Sequence, residues 1–226
     1  MNKLTSLLIA GASVVSLGVS SVSAQEPIGA DLSFGYSSDY VFRGAEFGSD
    51  LVDVDLSYGG ALTEDINYGV GVWYASFDEG KETNVYGSLD WELLGLGWNA
   101  GVLFYNYPGS TDDAEYETSF GSTTSIAGID FSLTFINYQV ASSTETQILE
   151  GSAGYSYECS WTERTFDLGL TYGGDISEET NDYLSASVST DFAVGTGTLT
   201  PYVAYNNGNE DLSSDVVFGA YFGLSF

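Results

Sequence analysis

Acidic side chains recur at alternate positions along this chain of 226 residues. In an extended strand, residues two apart project from the same face, so these carboxylates would share one surface. Carboxylates on such a surface can attract cations, bind a hard metal ion or act as an acid–base pair. The residues expected on this charged face are Asp39, Arg43, Asp53, Asp55, Asp90, Glu92, Glu115, Glu117, Asp130, Glu150 and Asp167.

The amino-acid composition limits which reactions and ligands these carboxylates can serve. The chain has 32 Asp and Glu, only 4 Lys and Arg, and a net charge of −28, so nucleic acid is a poor partner. It contains no histidine, which excludes a Ser-His or Asp-His catalytic set and the usual zinc sites. A paired-carboxylate hydrolase is the enzymatic alternative that stays open. We predict no enzyme, no catalytic residues, no cofactor and no metal site.

Acidic clusters also occur in the connections between segments. Carboxylates grouped in this way can bind Ca²⁺, although such runs are more often solvated loops. The two clusters are Asp112, Asp113 and Glu115, and Asp175, Glu178 and Glu179.

The elements that carry the charged face are strands. Apolar and polar residues alternate through twelve segments, which are separated by clusters of Gly, Asn, Asp, Ser and Thr. None of the apolar faces carries Asp, Glu, Lys or Arg. A soluble β-sandwich would alternate too, but it has no reason to place tyrosine repeatedly at the ends of apolar runs. An aromatic girdle at a bilayer interface does, and its candidates are Tyr40, Tyr58, Tyr68, Tyr74, Tyr172 and Tyr205.

The connections indicate a direction across the membrane. The odd-numbered ones, including GAEFGSD and DEGKET, are mostly long and acidic, whereas the even-numbered ones, including LGLG and VGTG, are mostly short. Long loops at one end and tight turns at the other are typical of outer-membrane barrels. The sequence therefore predicts an all-β fold, a single antiparallel transmembrane β-barrel of about twelve strands, with outer-membrane lipid as a partner.

The two ends of the chain support export to the outer membrane. Residues 1–24 combine Lys3, an apolar run and a small-residue end at Val22-Ser23-Ala24, which predicts a cleaved secretory signal peptide before a barrel of residues 25–226. The last strand ends YFGLSF, with apolar residues at alternate positions up to Phe226. Outer-membrane barrels typically end in this way, and the resemblance implies recognition of the C-terminal strand by the barrel-assembly machinery.

One stretch carries a resemblance to a known family. SSDYVFRG at 37–44, the strand pair that follows it and GVGVWYASF at 69–77 resemble the TorF family of porins, which open with a signal peptide and a strand of the form SDYxFRG. The resemblance implies a small outer-membrane barrel of Gram-negative bacteria, assigned to transport. Beyond these strands it is architectural, and after FRG the stretch AEFGSD departs from the family pattern.

The predicted function is a porin-like channel for passive diffusion of small cationic or neutral solutes, with a lumen of carboxylates that favours cations. The alternative is a non-conducting barrel with a structural or surface-interaction role, because a barrel of this size need not hold an open pore. Arg43 is a lone cation on the expected inward face, and we predict that Asp53 or Asp55 on the second strand holds it.

Overall fold

The computed structural model describes residues 29–109, 115–140, 146–176, 182–208 and 214–226. The predicted signal peptide lies outside these residues. The described part is all-β, and its strands follow the alternating segments because Val, Phe, Tyr and Thr suit a pleated surface with two different faces. The strands are β1 (Ala30–Phe42), β2 (Ala45–Ala61), β3 (Ile66–Phe77), β4 (Gly80–Leu93), β5 (Leu96–Asn106), β6 (Glu115–Ile126), β7 (Ile129–Val140), β8 (Thr146–Cys159), β9 (Arg164–Asp175), β10 (Tyr183–Ser189), β11 (Phe192–Val194), β12 (Gly197–Gly208) and β13 (Ser214–Ser225).

The sheet closes on itself. From β1 to β10 each strand pairs antiparallel with the next along the chain, β12 pairs with β10 and with β13, and β13 pairs with β1. Strands β10 and β11 both pair with β12 and form one interrupted strand, which makes a closed barrel of twelve. The interruption lies at Thr190, which faces Pro201: Thr190 donates to the Pro201 carbonyl at 3.4 Å, but proline has no N–H to donate in return. The predicted fold is confirmed.

The barrel is apolar outside and polar inside. Large apolar side chains such as Val52, Leu56, Val85 and Phe104 project outward with about half of their surface exposed. Their sequence neighbours turn inward. This inverted pattern suits a lipid solvent, in which a closed barrel leaves no backbone group unpaired. No helix among the described residues has the length and apolar character needed to span a membrane.

The barrel has two different ends. We call the turn end the one that carries the connections after β2, β4, β6, β8 and β11, together with Ala30 and Phe226, whose backbones are hydrogen-bonded at 2.8 Å. The loop end carries the connections after β1, β3, β5, β7, β9 and β12. Two predicted long connections at the loop end are wrong. GAEFGSD lies mostly within β2, after a turn of Arg43 and Gly44, and DEGKET lies mostly within β4, after a turn of Asp78 and Glu79.

Candidate functional site

The tip of the β1–β2 hairpin leaves the barrel wall. The last register pair of β1 with β13 is Ser37 with Gly219, and the first of β2 with β3 is Val52 with Ser76. The residues between these limits, 38–51, continue as an antiparallel pair with each other. We call residues 38–50 the inward hairpin, because its side chains contact the lumenal face of distant strands.

Backbone irregularities mark where the inward hairpin bends. The register of β1 with β2 shifts after Tyr40, and Asp50 has a φ of 54°, in the left-handed region. Such a bulge bends a strand and increases its twist. At the tip, Arg43 and Gly44 have φ values of 50° and 78°, as in a type I′ turn. The hairpin is therefore tight, and its bend lies at the junction with the wall.

Arg43 crosses the lumen to β6. Its Nη2 donates to Oε2 of Glu117 at 3.0 Å, and its Nη1 donates to Oε1 in a second, parallel contact. This is the only salt bridge within the part of the chain that the structure describes, and both side chains are buried, with 13% and 7% of their surfaces exposed. The predicted pairing of Arg43 with Asp53 or Asp55 is wrong, since the hairpin carries Arg43 away from β2.

The contact with Glu117 keeps the Arg43 guanidinium protonated. Burial by itself lowers the pKa of Arg43, but the Glu117 carboxylate raises it above its usual value, so the guanidinium stays protonated. The guanidinium also lies 4.5 Å from the ring centre of Phe42, a cation–π distance. A paired buried charge is tolerated, whereas either partner alone would be strongly unfavourable.

Tyr40 anchors the base of the inward hairpin. It is 2% exposed and donates a hydrogen bond to Oε2 of Glu82 at 2.9 Å. Its ring packs against Trp73 and Phe77 at centroid distances of 5.9 and 5.3 Å. Asn84 donates to the other Glu82 oxygen at 2.7 Å. The prediction that Tyr40 belongs to an outward aromatic girdle is therefore wrong, because the bend turns it into the lumen.

Tyrosines fill the lumen around the hairpin. Tyr138 and Tyr107 donate to Oε2 of Glu115 at 2.6 and 3.2 Å, and Tyr183 donates to Glu150. Burial raises the pKa of Tyr107 well above its usual value, with nearby carboxylates acting in the same direction, so its hydroxyl remains a neutral donor. These phenols and the inward hairpin together narrow the loop-end half of the barrel.

Three further predicted residues follow one another down the wall toward the turn end. Asp53 is 3% exposed and accepts a hydrogen bond from the Trp73 indole at 3.3 Å. Asp55 accepts from the hydroxyl of Tyr86 at 2.9 Å. Asp90 accepts from the neighbouring Ser88 at 3.3 Å. Each carboxylate contacts neutral donors, so its negative charge is not cancelled by a cation.

The remaining predicted residues lie apart from the inward hairpin. Glu92 and Asp130 are exposed near the turn end. Asp167 accepts a hydrogen bond from Ser156 at 2.5 Å, also near the turn end.

Asp39 lies on the inward hairpin but away from Arg43. One carboxylate oxygen each of Asp39, Glu46 and Asp215 lie within 4.8 Å of one another. In the predicted Ca²⁺ clusters, Asp112, Asp113, Glu178 and Glu179 lie outside the described residues.

A small polar cavity lies beside the Arg43–Glu117 pair, toward the turn end. Its walls include Ser88, Asn99 and Ser119. Nε of Arg43 and Oδ1 of Asn99 are both buried without a hydrogen-bond partner among the described residues. Small hydroxyl and glycine residues on this part of the wall leave more room than the tyrosines above.

Sequence reasoning missed Glu82, Tyr40 and Trp73 as lumenal residues. The connection DEGKET predicted from the sequence includes Glu82, yet the alternation continues upstream of the predicted fourth segment. Glu82, Asn84 and Tyr86 all face inward, so extending the period by one step would have found it. Tyr40 had no such signal, because it keeps the alternation phase of Tyr36 and is carried inward only by the bend of the hairpin, where Asp50 is left-handed.

The barrel resembles solved structures of outer-membrane proteins. Neither a family model nor a curated protein matches the chain. Among solved structures, a KdgM porin matches with a TM-score of 0.55 and 13% identity, over 87% of this chain and 99% of that one. The COG4313 outer membrane channel from Pseudomonas putida F1 gives 0.54 and 12%, over 89% and 97%. LpxR from Salmonella typhimurium gives 0.52 and 8%, over 87% and 100%.

These similarities define a class of protein by its fold. The chain forms a barrel of the kind found in outer-membrane porins and channels. The particular members it resembles differ in activity, since LpxR is an enzyme. At these identities the likeness concerns the fold alone.

Proposed function

We propose that this protein is an outer-membrane channel for passive diffusion of small solutes, constricted by its own inward hairpin. The observation that carries the proposal is the Arg43–Glu117 pair, which joins the hairpin tip to β6 across the lumen. A barrel that served only as a membrane anchor would have no need to hold a charged hairpin inside its pore. The porin-like fold supports the same function.

We propose that the lumen prefers cations. Arg43 is neutralised locally by Glu117, while Lys81 and Arg164 are exposed. The lumenal carboxylates at Asp53, Asp55 and Asp90 contact only neutral donors in the hydrogen bonds described above, so the path carries net negative charge. Carboxylate-lined passages favour cations and repel anions.

We also propose a family, a route of export and a location for this protein. The SDYVFRG strand favours the TorF family of porins. We further propose export through the signal peptide of residues 1–24, assembly through the C-terminal strand that ends in Phe226, and location in a Gram-negative outer membrane. An enzyme is disfavoured because the chain has no histidine.

A non-conducting barrel is the second candidate. It is favoured by how fully the loop-end half of the lumen is occupied: Tyr40 is 2% exposed, Tyr105 is 7% exposed and Ile136 is 1% exposed. In that case the hairpin would be a permanent part of the core.

Conductance in planar bilayers separates the two candidates. The purified protein should give discrete steps, and a potassium chloride gradient should give a reversal potential of the sign for cation selectivity. An anion-selective potential would contradict the proposed preference but not the channel. Absence of conductance in the wild type and in Arg43→Ala would contradict the channel and favour the structural role.

A further inference from the structure

Every connection at the turn end carries or directly adjoins a large, exposed apolar side chain. The exposed fractions are high at Leu94 (91%), Trp161 (90%), Ile126 (61%) and Leu62 (60%), and reach 48% at Val194. The C-terminal Phe226 lies at the same end and is 52% exposed. We call these six residues the apolar rim. Apolar side chains on turn tips are unusual, because such tips normally project into water.

Leu94 has a left-handed backbone conformation, which leucine rarely adopts. Leu94 and Gly95 have φ values of 59° and 76°, which is the geometry of a type I′ turn. The first position of that turn strongly favours Asn, Asp or Gly, because other side chains crowd the backbone when φ is positive. Leucine is therefore unfavourable here for its conformation, and in water it would be unfavourable for its exposure as well. A covering environment for the rim removes the second penalty.

The shape of the rim indicates what covers it. Its members lie on or beside all five connections and at Phe226, so they encircle the barrel rather than mark one side. They continue the apolar outer face, since Leu93 and Ile129 directly adjoin the tips and are 54% and 36% exposed. A protein partner would be expected to cover one side, whereas a lipid leaflet surrounds the whole barrel. At the loop end, the turn formed by Asp78 and Glu79 is acidic, and among the described residues of that end's connections only Ile176 is a large, exposed apolar side chain, at 56%.

We propose that the apolar rim is immersed in the lipid leaflet next to the turn end, at the boundary between headgroups and acyl chains. The indole of Trp161 suits that boundary, where its ring is buried and its N–H remains near polar groups. Exposed charged residues on or beside the same turns, such as Glu64 and Arg164, would then lie at the level of the headgroups. The proposal requires that the barrel spans a membrane, and it is independent of whether the barrel conducts.

The only cysteine of the chain provides a direct test. Cys159 ends β8, two residues before Trp161, so a nitroxide spin label on it reports the depth of the rim. In phosphatidylcholine vesicles the label should collide more with oxygen, which partitions into lipid, than with a water-soluble nickel chelate. A matched variant, Cys159→Ser with Glu79→Cys, places the label on the acidic loop-end turn and should show the reverse.

Two outcomes of the labelling would overturn the proposal. A label at Cys159 that is as open to the nickel chelate as the one at position 79 would place the rim in water. A label shielded from both agents would place the rim against a protein, either a partner or a second copy of this chain.

A turn substitution gives a test whose sign differs between lipid and water. Leu94→Asn installs a residue that the type I′ turn prefers, so it stabilises the barrel if the tip is in water. If the tip is in lipid, loss of an apolar contact dominates, and the denaturant midpoint for unfolding from vesicles should fall. Ala127→Asn is the matched control, because Ala127 and Gly128 have φ values of 54° and 82° in an equivalent turn but offer little apolar surface. A rise in the midpoint for both variants would overturn the proposal.

Discussion

Breaking the Arg43–Glu117 pair tests the hairpin as a constriction. Arg43→Ala leaves the Glu117 carboxylate buried on β6, with 7% of its side chain exposed and no cation beside it. Removing one partner of a buried ion pair typically costs about 3–5 kcal/mol. The inward hairpin lies beyond the ladder pairing with its neighbours, which ends at Ser37 on the β13 side and begins at Val52 on the β3 side, so its tip can move away from β6 and let water reach Glu117. We therefore expect this energy to act on the position of the hairpin rather than on the whole barrel.

The expected size of the effect follows from that energy. About 3 kcal/mol corresponds to a shift of roughly a hundredfold in the equilibrium between inward and outward hairpin. Single-channel recordings in planar bilayers should show a much higher open probability, or larger steps, for Arg43→Ala than for the wild type. Lys81→Ala is the matched control, because it removes an exposed cation that forms no salt bridge among the described residues, and it should leave the open probability unchanged.

Exchanging the charges of Arg43 and Glu117 tests the same ion pair in a second way. Arg43→Glu combined with Glu117→Arg restores opposite charges across the lumen and should recover most of the wild-type closure, while each single reversal should open the channel. Equal conductance in the wild type, Arg43→Ala and both single reversals would refute the idea that the pair holds the hairpin inward. The heat-modifiable migration of each variant in gels verifies that the barrel itself has folded.

Other substitutions test separate parts of the structure. Tyr40→Phe removes the donor to the buried Glu82 carboxylate and should destabilise the barrel by about 1.5–3 kcal/mol, measured as a lower midpoint in urea. Gly71→Ala would place a Cβ 2.3 Å from the ring of Tyr86, so it should force that ring away from Asp55 and cost about 1–3 kcal/mol in the same assay; an unchanged midpoint would contradict the packing described here. Deleting Phe226 should slow insertion by purified assembly machinery while leaving spontaneous folding into detergent nearly intact, and equal slowing of both would argue against recognition of the C-terminus.

Most strands could be predicted from the local alternation of apolar and polar residues. In β7, Phe131, Leu133 and Phe135 alternate with Asp130, Ser132 and Thr134, and the structure pairs this strand along its whole length with β6 and as far as Tyr138 with β8. Such a strand can be predicted because its two faces meet different solvents, and the period of two follows from backbone geometry alone. The interrupted tenth strand was harder, because its break depends on Pro201 in the partner strand.

Part of the candidate site could likewise be predicted from the sequence, and part could not. Asp53, Asp55 and Asp90 lie in parts of β2 and β4 that pair with a strand on each side, and alternation sufficed to place their carboxylates on one face. The partner of Arg43 did not follow from any spacing, because Glu117 is 74 residues away and meets Arg43 only across the lumen. A contact of that kind depends on barrel closure and on the bend of the hairpin, neither of which has a local signal.

By itself, the sequence determined that this is an all-β barrel with an apolar outer face and an acidic inner face, because strand alternation records which solvent each side chain meets. The tertiary structure decided that the β1–β2 hairpin turns into the lumen. A bulge after Tyr40 and the left-handed Asp50 redirect the chain there, and the buried Glu117 on β6 supplies the charge that holds Arg43. The physical reason is one of range: alternation is set between neighbouring residues, whereas the balance of charge inside the lumen is set only after the barrel has closed.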